Sequence, residues 1–109
     1  MNLRIGNVMY KCYDYGHEEI VVAEPDLKRE DLKGIPITIQ NLTEILGFTI
    51  TKFSDHEEIM YDARDNIIRY YPEKEYKFEI SGIAKFNVPY IHQLQNVVQD
   101  LIDYGIFHI

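Results

Sequence analysis

The stretch Tyr90-Ile-His-Gln-Leu-Gln-Asn-Val-Val-Gln-Asp-Leu101 is the most strongly patterned part of this chain. On a helical wheel of about 100° per residue, its apolar side chains gather in one half and its polar side chains fill the other. This separation predicts an amphipathic C-terminal helix whose apolar half packs on a sheet. The polar half carries amides and one histidine, His92, where lysine and glutamate would be usual.

Four side chains of that polar half lie within about two helical turns of each other, namely His92, Gln95, Asn96 and Gln99. Such groups donate and accept hydrogen bonds without net charge. They suit the binding of a polar ligand, of a partner's backbone or of a second copy of the chain. The alternative is that they cap neighbouring strands or loops inside the monomer. The four residues are therefore candidate ligand- or partner-binding residues, and the sequence leaves both readings open.

Shorter elements precede this helix in the chain. Residues 1–35 are rich in aliphatic and aromatic side chains on both sides of Asp14-Tyr-Gly16, which predicts a β-hairpin. Closure of this region into a small SH3-like barrel is an alternative. Thr38 can cap a short helix that continues to Leu46, and Gly47 stands where a left-handed residue commonly ends a helix.

Five short β-prone runs follow the short helix, separated by turn-forming residues, at 48–53, 59–63, 66–71, 76–80 and 83–86. Runs of this length and spacing predict an antiparallel β-meander. Gly105 would end the C-terminal helix, and residues 106–109 would add an edge strand or a tail. The predicted fold class is α+β, in a single domain over 1–109 with sub-regions 1–35 and 36–109.

The composition is that of a small acidic globular protein. The 109 residues are 46% hydrophobic, 13% aromatic and 27% charged, with a formal net charge of −7. A chain of this charge is repelled by phosphate backbones and by anionic membrane surfaces. Nucleic acid is accordingly an unlikely partner.

Cellular location is suggested by the cysteine count and the N-terminal residues. Cys12 is the one cysteine, and Met1-Asn-Leu-Arg-Ile-Gly lacks the basic and then apolar run of a signal peptide. No window approaches the roughly 18 apolar residues that cross a bilayer. We therefore expect a cytoplasmic protein without membrane contact.

The sequence carries no compelling catalytic motif. The glycines are dispersed, which excludes phosphate-binding loops, and neither Ser54 nor Ser81 has a nucleophile context. Cys12 and His17 could form a thiol–imidazole pair, although a buried apolar role is commoner for a free cysteine. The matching fragments that begin at His17 and His56, His-Glu-Glu-Ile, could supply metal ligands but are more typical of solvated turns. We expect no enzyme activity, no cofactor and no metal.

Three segments resemble a known group of proteins. They are Leu3-Arg-Ile-Gly-Asn7, Gly34-Ile-Pro-Ile-Thr38 with its helix ending at Leu46-Gly-Phe48, and Tyr90-Ile-His-Gln-Leu-Gln-Asn96. Together they resemble a family of small uncharacterised proteins of Bacteroidetes genomes and their phages and prophages. The resemblance spans nearly the whole chain, with His-Gln-Leu-Gln-Asn as its most specific part. The family usually continues with an aromatic pair and a Thr-Gly-Glu-Glu-Leu-like ending, which this chain lacks.

The resemblance implies an accessory role on a phage or other mobile element. With small size and acidity, it favours a non-enzymatic binding protein that sequesters or inhibits a host protein or a small signalling ligand, with counter-defence as a possible purpose. Such a protein would act in the host cytoplasm, as a homo-oligomer. The alternative is a structural or assembly accessory, such as a minor virion or cargo component.

Overall fold

A computed structural model describes residues 3–63, 66–80, 82 and 84–104 of the chain. The chain is divided into two compact units. The first consists of the N-terminal stretch up to Ile37 together with Val88–Asp100, and the second consists of Thr38–Asn87 together with the chain from Leu101. Most of the C-terminal helix thus groups with the N-terminal strands, whereas the predicted sub-regions placed it with the meander.

The first unit is built on an open antiparallel sheet of three strands in the order β2-β1-β3. Strand β1 is Val8–Cys12, β2 is Glu18–Val22, and β3 is Leu32–Lys33, which follows a 3-10 turn at Arg29–Asp31. The predicted hairpin is confirmed. The SH3-like barrel is wrong, because β3 is only two residues long and, within the described residues, β2 pairs with β1 alone.

One face of this sheet carries a small apolar core. Met9, Ala23 and Leu32 are buried there, and Leu3, Val21 and Leu27 pack against them. Met9 pairs with Val21 across the β1–β2 ladder, so both side chains point to the same face. Alternation along the strands therefore leaves the neighbouring residues, Ile20 and Val22 among them, on the other face.

The second unit holds a short helix and the antiparallel meander. Helix α1 is Ile39–Leu46. The sheet has the order β4-β5-β6-β7-β8, with strands Thr49–Lys52, Glu57–Ala63, Asn66–Tyr70, Phe78–Ile80 and Ala84–Phe86. All four ladders are antiparallel. The predicted meander and the α+β fold class are confirmed.

The meander has one dry face, formed by side chains that pair across neighbouring strands. Ile59 pairs with Tyr70, Tyr70 with Phe78, and Phe78 with Phe86. The Tyr70 and Phe78 rings are 5.0 Å apart and the Phe78 and Phe86 rings 5.5 Å apart, as in ordinary aromatic pairs. Cross-strand packing of this kind stabilises a sheet with one buried side.

Helix α1 begins and ends as its sequence predicts. The Thr38 hydroxyl accepts a hydrogen bond from the Asn41 N–H at 3.0 Å, which satisfies one of the free donors of the first turn. Gly47 adopts the left-handed conformation with φ 80°, and its N–H donates to the Leu42 carbonyl. Both predicted caps are confirmed.

The C-terminal helix, α2, covers Ile91–Asp103. Its start is supported by a hydrogen bond from the Tyr90 N–H to Gln93 Oε1 at 3.3 Å, the glutamine half of a capping box. Neither of the two described α-helices has the length and hydrophobicity needed to cross a bilayer. Ser81, the predicted helix end at Gly105 and the predicted strand or tail over 106–109 lie outside the described residues.

Candidate binding site

The four candidate residues on α2 differ in their environment. His92 is fully buried and Asn96 is 6% exposed, whereas Gln95 is half-buried and Gln99 is exposed. The polar half of the helix is therefore not uniformly exposed, and His92 and Asn96 lie inside the protein. The physical reason lies in the first unit, where the N-terminal segment and the chain around Gly34 cover that side of the helix.

Asn96 is buried because it has a partner of the same kind. The Asn7 side chain donates through Nδ2 to Asn96 Oδ1 at 2.9 Å, and both residues are buried. Asn7 Oδ1 accepts in turn from the Arg4 N–H at 2.7 Å. Amides can leave water when their donors and acceptors are paired. The Asn7–Asn96 pair thus joins the N-terminal turn to α2.

Gln95 fixes the start of β1. Its Oε1 accepts a hydrogen bond from the Val8 N–H at 2.9 Å. This bond satisfies a backbone donor at the first residue of the strand, as buried or half-buried donors require. Two of the four candidate residues, Gln95 and Asn96, therefore make contacts of the internal kind that the sequence left open.

His92 occupies an apolar environment. Its ring stacks on Tyr90 with centroids 5.8 Å apart, and Gly34 lies directly against both rings. Within the described part of the chain, neither ring nitrogen has a hydrogen-bond partner. Burial lowers the pKa of His92 below its ordinary value, because removing water disfavours the charged imidazolium. His92 is a neutral packing residue in this structure.

A short backbone ladder holds the beginning of α2 against the segment before α1. The Ile91 N–H donates to the Ile35 carbonyl at 2.8 Å, and the Ile37 N–H donates to the Pro89 carbonyl at 3.0 Å. Pro36 and Tyr90 form the antiparallel bridge between these bonds. A side chain at position 34 would meet the Tyr90 ring at 2.8 Å, so only glycine fits there.

Arg4 and Asp100 extend the site, and the sequence reasoning missed them both, along with Asn7. The Arg4 guanidinium donates from Nη1 to Asp100 Oδ1 at 2.8 Å and from Nη2 to Asp100 Oδ2 at 3.3 Å. These hydrogen bonds lower the pKa of the Asp100 carboxyl. The side chains are 42% and 47% exposed, so the pair remains accessible to a ligand. A sequence signal for this extension was Asp100, which lies one helical turn after Asn96 and therefore on the same face of α2.

Two cavities lie on either side of Asn96, and Arg4 borders both. One, of about 190 Å³, is lined by Arg4, Asn96, Asp100 and three further residues: Val88, Gln93 and Val97. The other, of about 210 Å³, is lined by the 4–7 segment together with Gln95, Asn96 and Gln99. Pockets that enclose whole drug-sized ligands measure about 300–1,000 Å³. Each cavity is therefore sized for a small polar group or a side chain.

The chemistry of this site is recognition by hydrogen bonds. Arg4 supplies a guanidinium, Asp100 a carboxylate, and Gln99 an amide, so donors and acceptors lie close together. Among the described residues, no group of three or more His, Cys, Asp or Glu side chains is arranged to hold a metal ion. The residues that line the two cavities can bind a polar group through hydrogen bonds.

The other histidines that the sequence singled out sit at hairpin turns. The His17 ring stacks on Tyr15 at 5.7 Å, and the His56 ring stacks on Phe53 at 4.8 Å. The His17 carbonyl accepts from the Tyr13 N–H, and the His56 carbonyl accepts from the Phe53 N–H. The repeated His-Glu-Glu-Ile fragment therefore follows a hairpin turn in both places, with three residues in the first turn (14–16) and two in the second (54–55).

Cys12 and His17 do not form a thiol–imidazole pair. Cys12 pairs with Glu18 across the β1–β2 ladder, whereas the His17 ring lies 5.7 Å from that of Tyr13. Because successive strand residues point to opposite faces, the thiol and the imidazole are on different sides of the hairpin.

Comparison with protein families, with curated proteins and with solved structures finds no match to this chain.

Proposed function

We propose that this protein is a small non-enzymatic binding protein of phage or prophage type, which sequesters or inhibits a protein of its bacterial host in the host cytoplasm. Counter-defence is the role that such inhibition would serve. The observation that carries the proposal is the pair of small cavities flanking Asn96, with Arg4 bordering both and Asp100 and Gln99 at their rims.

The size of the cavities favours a protein over a free small ligand. At about 190 and 210 Å³, each could receive one polar side chain of a partner. A complete signalling molecule would stay largely exposed to water, which limits its affinity. A protein partner would fill both cavities at once and add contacts around them, as a hot-spot pair within a larger interface.

The net charge of the chain indicates the sign of the charge on the partner's surface. A net charge of −7 raises the rate of association with a basic protein surface and lowers it for an acidic one. Arg4 and Asp100 hold each other through a hydrogen bond of 2.8 Å, so two of the groups that a partner meets are fixed before binding. Such preorganisation lowers the entropy cost of association.

The experiment is affinity capture from a Bacteroidetes host lysate, followed by native mass spectrometry of the retained complex. Gln99→Ala removes an exposed amide from the rim of the site, and Gln40→Ala removes an exposed helical glutamine from α1 as a matched control. We expect Gln99→Ala to weaken capture of the host protein and Gln40→Ala to leave it unchanged.

Equal retention by both variants would place the interface elsewhere and contradict the site. Retention of a small molecule without a protein would contradict a protein partner and favour a small polar ligand instead. Co-sedimentation of the protein with virus-like particles, without a host partner, would favour the structural accessory role instead.

A further inference from the structure

Strand β2 is an open edge. Within the described residues it pairs only with β1, and four of its five residues are exposed. Ile20 is 53% exposed and Val22 52% exposed, on the face of the sheet opposite to Met9. An unpaired strand with exposed aliphatic side chains is a template for another strand.

The other described sheet edges are protected by familiar devices. Strand β3 is two residues long and contains Lys33, and β8 is three residues long and has Lys85 at its centre. Strand β4 carries Lys52. Short length and lysine both discourage edge pairing. Strand β2 has five residues and neither lysine nor proline, so it lacks these protections.

The two acidic residues of β2 are engaged by side chains of the same sheet. Lys33 Nζ lies 2.9 Å from Glu18 Oε1, and the Tyr13 hydroxyl donates to Glu19 Oε2 at 2.8 Å. Each carboxylate therefore has a partner on the sheet itself. The ion pair with Lys33 partly compensates the charge of Glu18, whereas the hydroxyl that bonds Glu19 is neutral.

Backbone groups along β2 alternate between the β1 side and the open edge. Just beyond its two ends, the His17 carbonyl accepts from the Tyr13 N–H at 2.9 Å and the Ala23 N–H donates to the Asn7 carbonyl at 2.7 Å, both on the β1 side. Antiparallel ladders bond every second residue to the same neighbour. It follows that three residues direct their backbone groups at the open edge: Glu18, Ile20 and Val22.

We propose that two copies of this chain associate by antiparallel pairing of β2 with β2, with Ile20 on the two-fold axis. Ile20 then exchanges its backbone hydrogen bonds with Ile20 of the second copy, and Glu18 does so with Val22. The two three-stranded sheets become one continuous sheet. The interface is the same patch on both copies, as a two-fold dimer requires.

Charge placement favours this register over its neighbours. With Ile20 on the axis, Glu18 faces Val22 and Glu19 faces Val21, so no carboxylate opposes another. Moving the axis by one residue places Glu19 opposite Glu19 in one direction and Glu18 opposite Glu24 in the other. Like charges directly opposite each other destabilise a strand pair. The sequence of β2 is therefore self-complementary in a single register.

The test is disulfide formation at matched positions of β2, in a Cys12→Ser background that removes the native thiol. In the proposed dimer the two residues at position 20 have Cα atoms about 5.5 Å apart, within the roughly 4.4–6.8 Å that a disulfide spans. The two residues at position 22 are separated by roughly 14 Å along the strands. We expect Ile20→Cys to form a covalent dimer under mild oxidation and Val22→Cys, equally exposed, to remain monomeric.

A second measurement uses chains that keep the native Cys12. Sedimentation of the wild type at rising concentration should approach twice the 12.9 kDa of one chain, or about 26 kDa. Ile20→Lys should abolish this increase, and Ile50→Lys, on the exposed edge strand β4, should not. Equal cross-linking at positions 20 and 22, no cross-linking at either, or loss of the dimer in Ile50→Lys alone would overturn the proposal.

Discussion

Removing the Asn7–Asn96 pair tests whether the amide face of α2 holds the first unit together. In Asn96→Ala, the acceptor of the 2.9 Å hydrogen bond is lost, and Asn7 Nδ2 is left without it at a position that is 4% exposed. An unpaired buried donor costs about 1–3 kcal/mol, so we expect the free energy of unfolding to fall by about 2 kcal/mol.

The partner variant and the double variant separate the pair from its surroundings. Asn7→Ala also removes the acceptor of the Arg4 N–H at 2.7 Å, but Arg4 is exposed and water can replace that bond. The free energy of unfolding should therefore fall by a similar amount in Asn7→Ala as in Asn96→Ala, about 2–3 kcal/mol. With both amides absent no donor is orphaned, so the double variant should lose about 1–2 kcal/mol less than the sum of the single losses.

The assay is urea unfolding followed by far-UV circular dichroism on the wild type and the three variants, since the chain has no tryptophan for fluorescence. Each kcal/mol should also lower Tm by roughly 4 °C for a chain of this size. Single losses that add within about 0.5 kcal/mol, or an Asn96→Ala variant as stable as the wild type, would refute the coupling.

Three further perturbations probe neighbouring features. Gly34→Ala should lower the free energy of unfolding by about 1–3 kcal/mol, because the added Cβ would lie 2.8 Å from the Tyr90 ring. Adding Tyr90→Leu to this variant should recover part of the loss in a urea titration. Losses that are fully additive would exclude the clash. His92→Leu should preserve or raise stability at pH 7.5, since both ring nitrogens lack partners among the described residues. The folded pKa of His92 is lowered below 6.5, so the wild type loses stability as the pH falls through that value and the unfolded chain takes up the proton. His92→Leu should lose this part of the pH dependence, and an unchanged slope of urea midpoint against pH would contradict it. Thr38→Ala should cost about 1 kcal/mol by removing the acceptor of the Asn41 N–H, and Thr38→Ser should restore the stability.

Local signals were sufficient for the elements of this fold. Thr38 and Gly47 bound α1 because a hydroxyl acceptor and a left-handed glycine act within one turn of themselves. The five runs after α1 form a meander because the connections between consecutive runs are short, so each strand pairs with the one before it. The N-terminal barrel alternative was wrong because closure depends on strands that meet far apart in sequence, and local patterns do not report such pairings.

The candidate site was predicted in part. The helical wheel correctly placed His92 and Asn96 on one face of α2. A wheel sorts residues by hydropathy, however, and does not predict which segments of the chain cover each face. Asn7 lies 89 positions from Asn96, and no periodicity links them. Arg4 reaches Asp100 over a similar separation of 96 positions. A residue can be chemically polar and still be buried when a distant partner satisfies it.

The sequence by itself determined the α+β class, the hairpin, the capped short helix, the meander and the amphipathic C-terminal helix, because these depend on side-chain periodicity and on turn residues within a few positions. Only the tertiary structure decided which polar groups of α2 are held inside the first unit and which line a surface cavity. That choice depends on hydrogen bonds between segments almost a whole chain length apart, which form only after the local elements have packed.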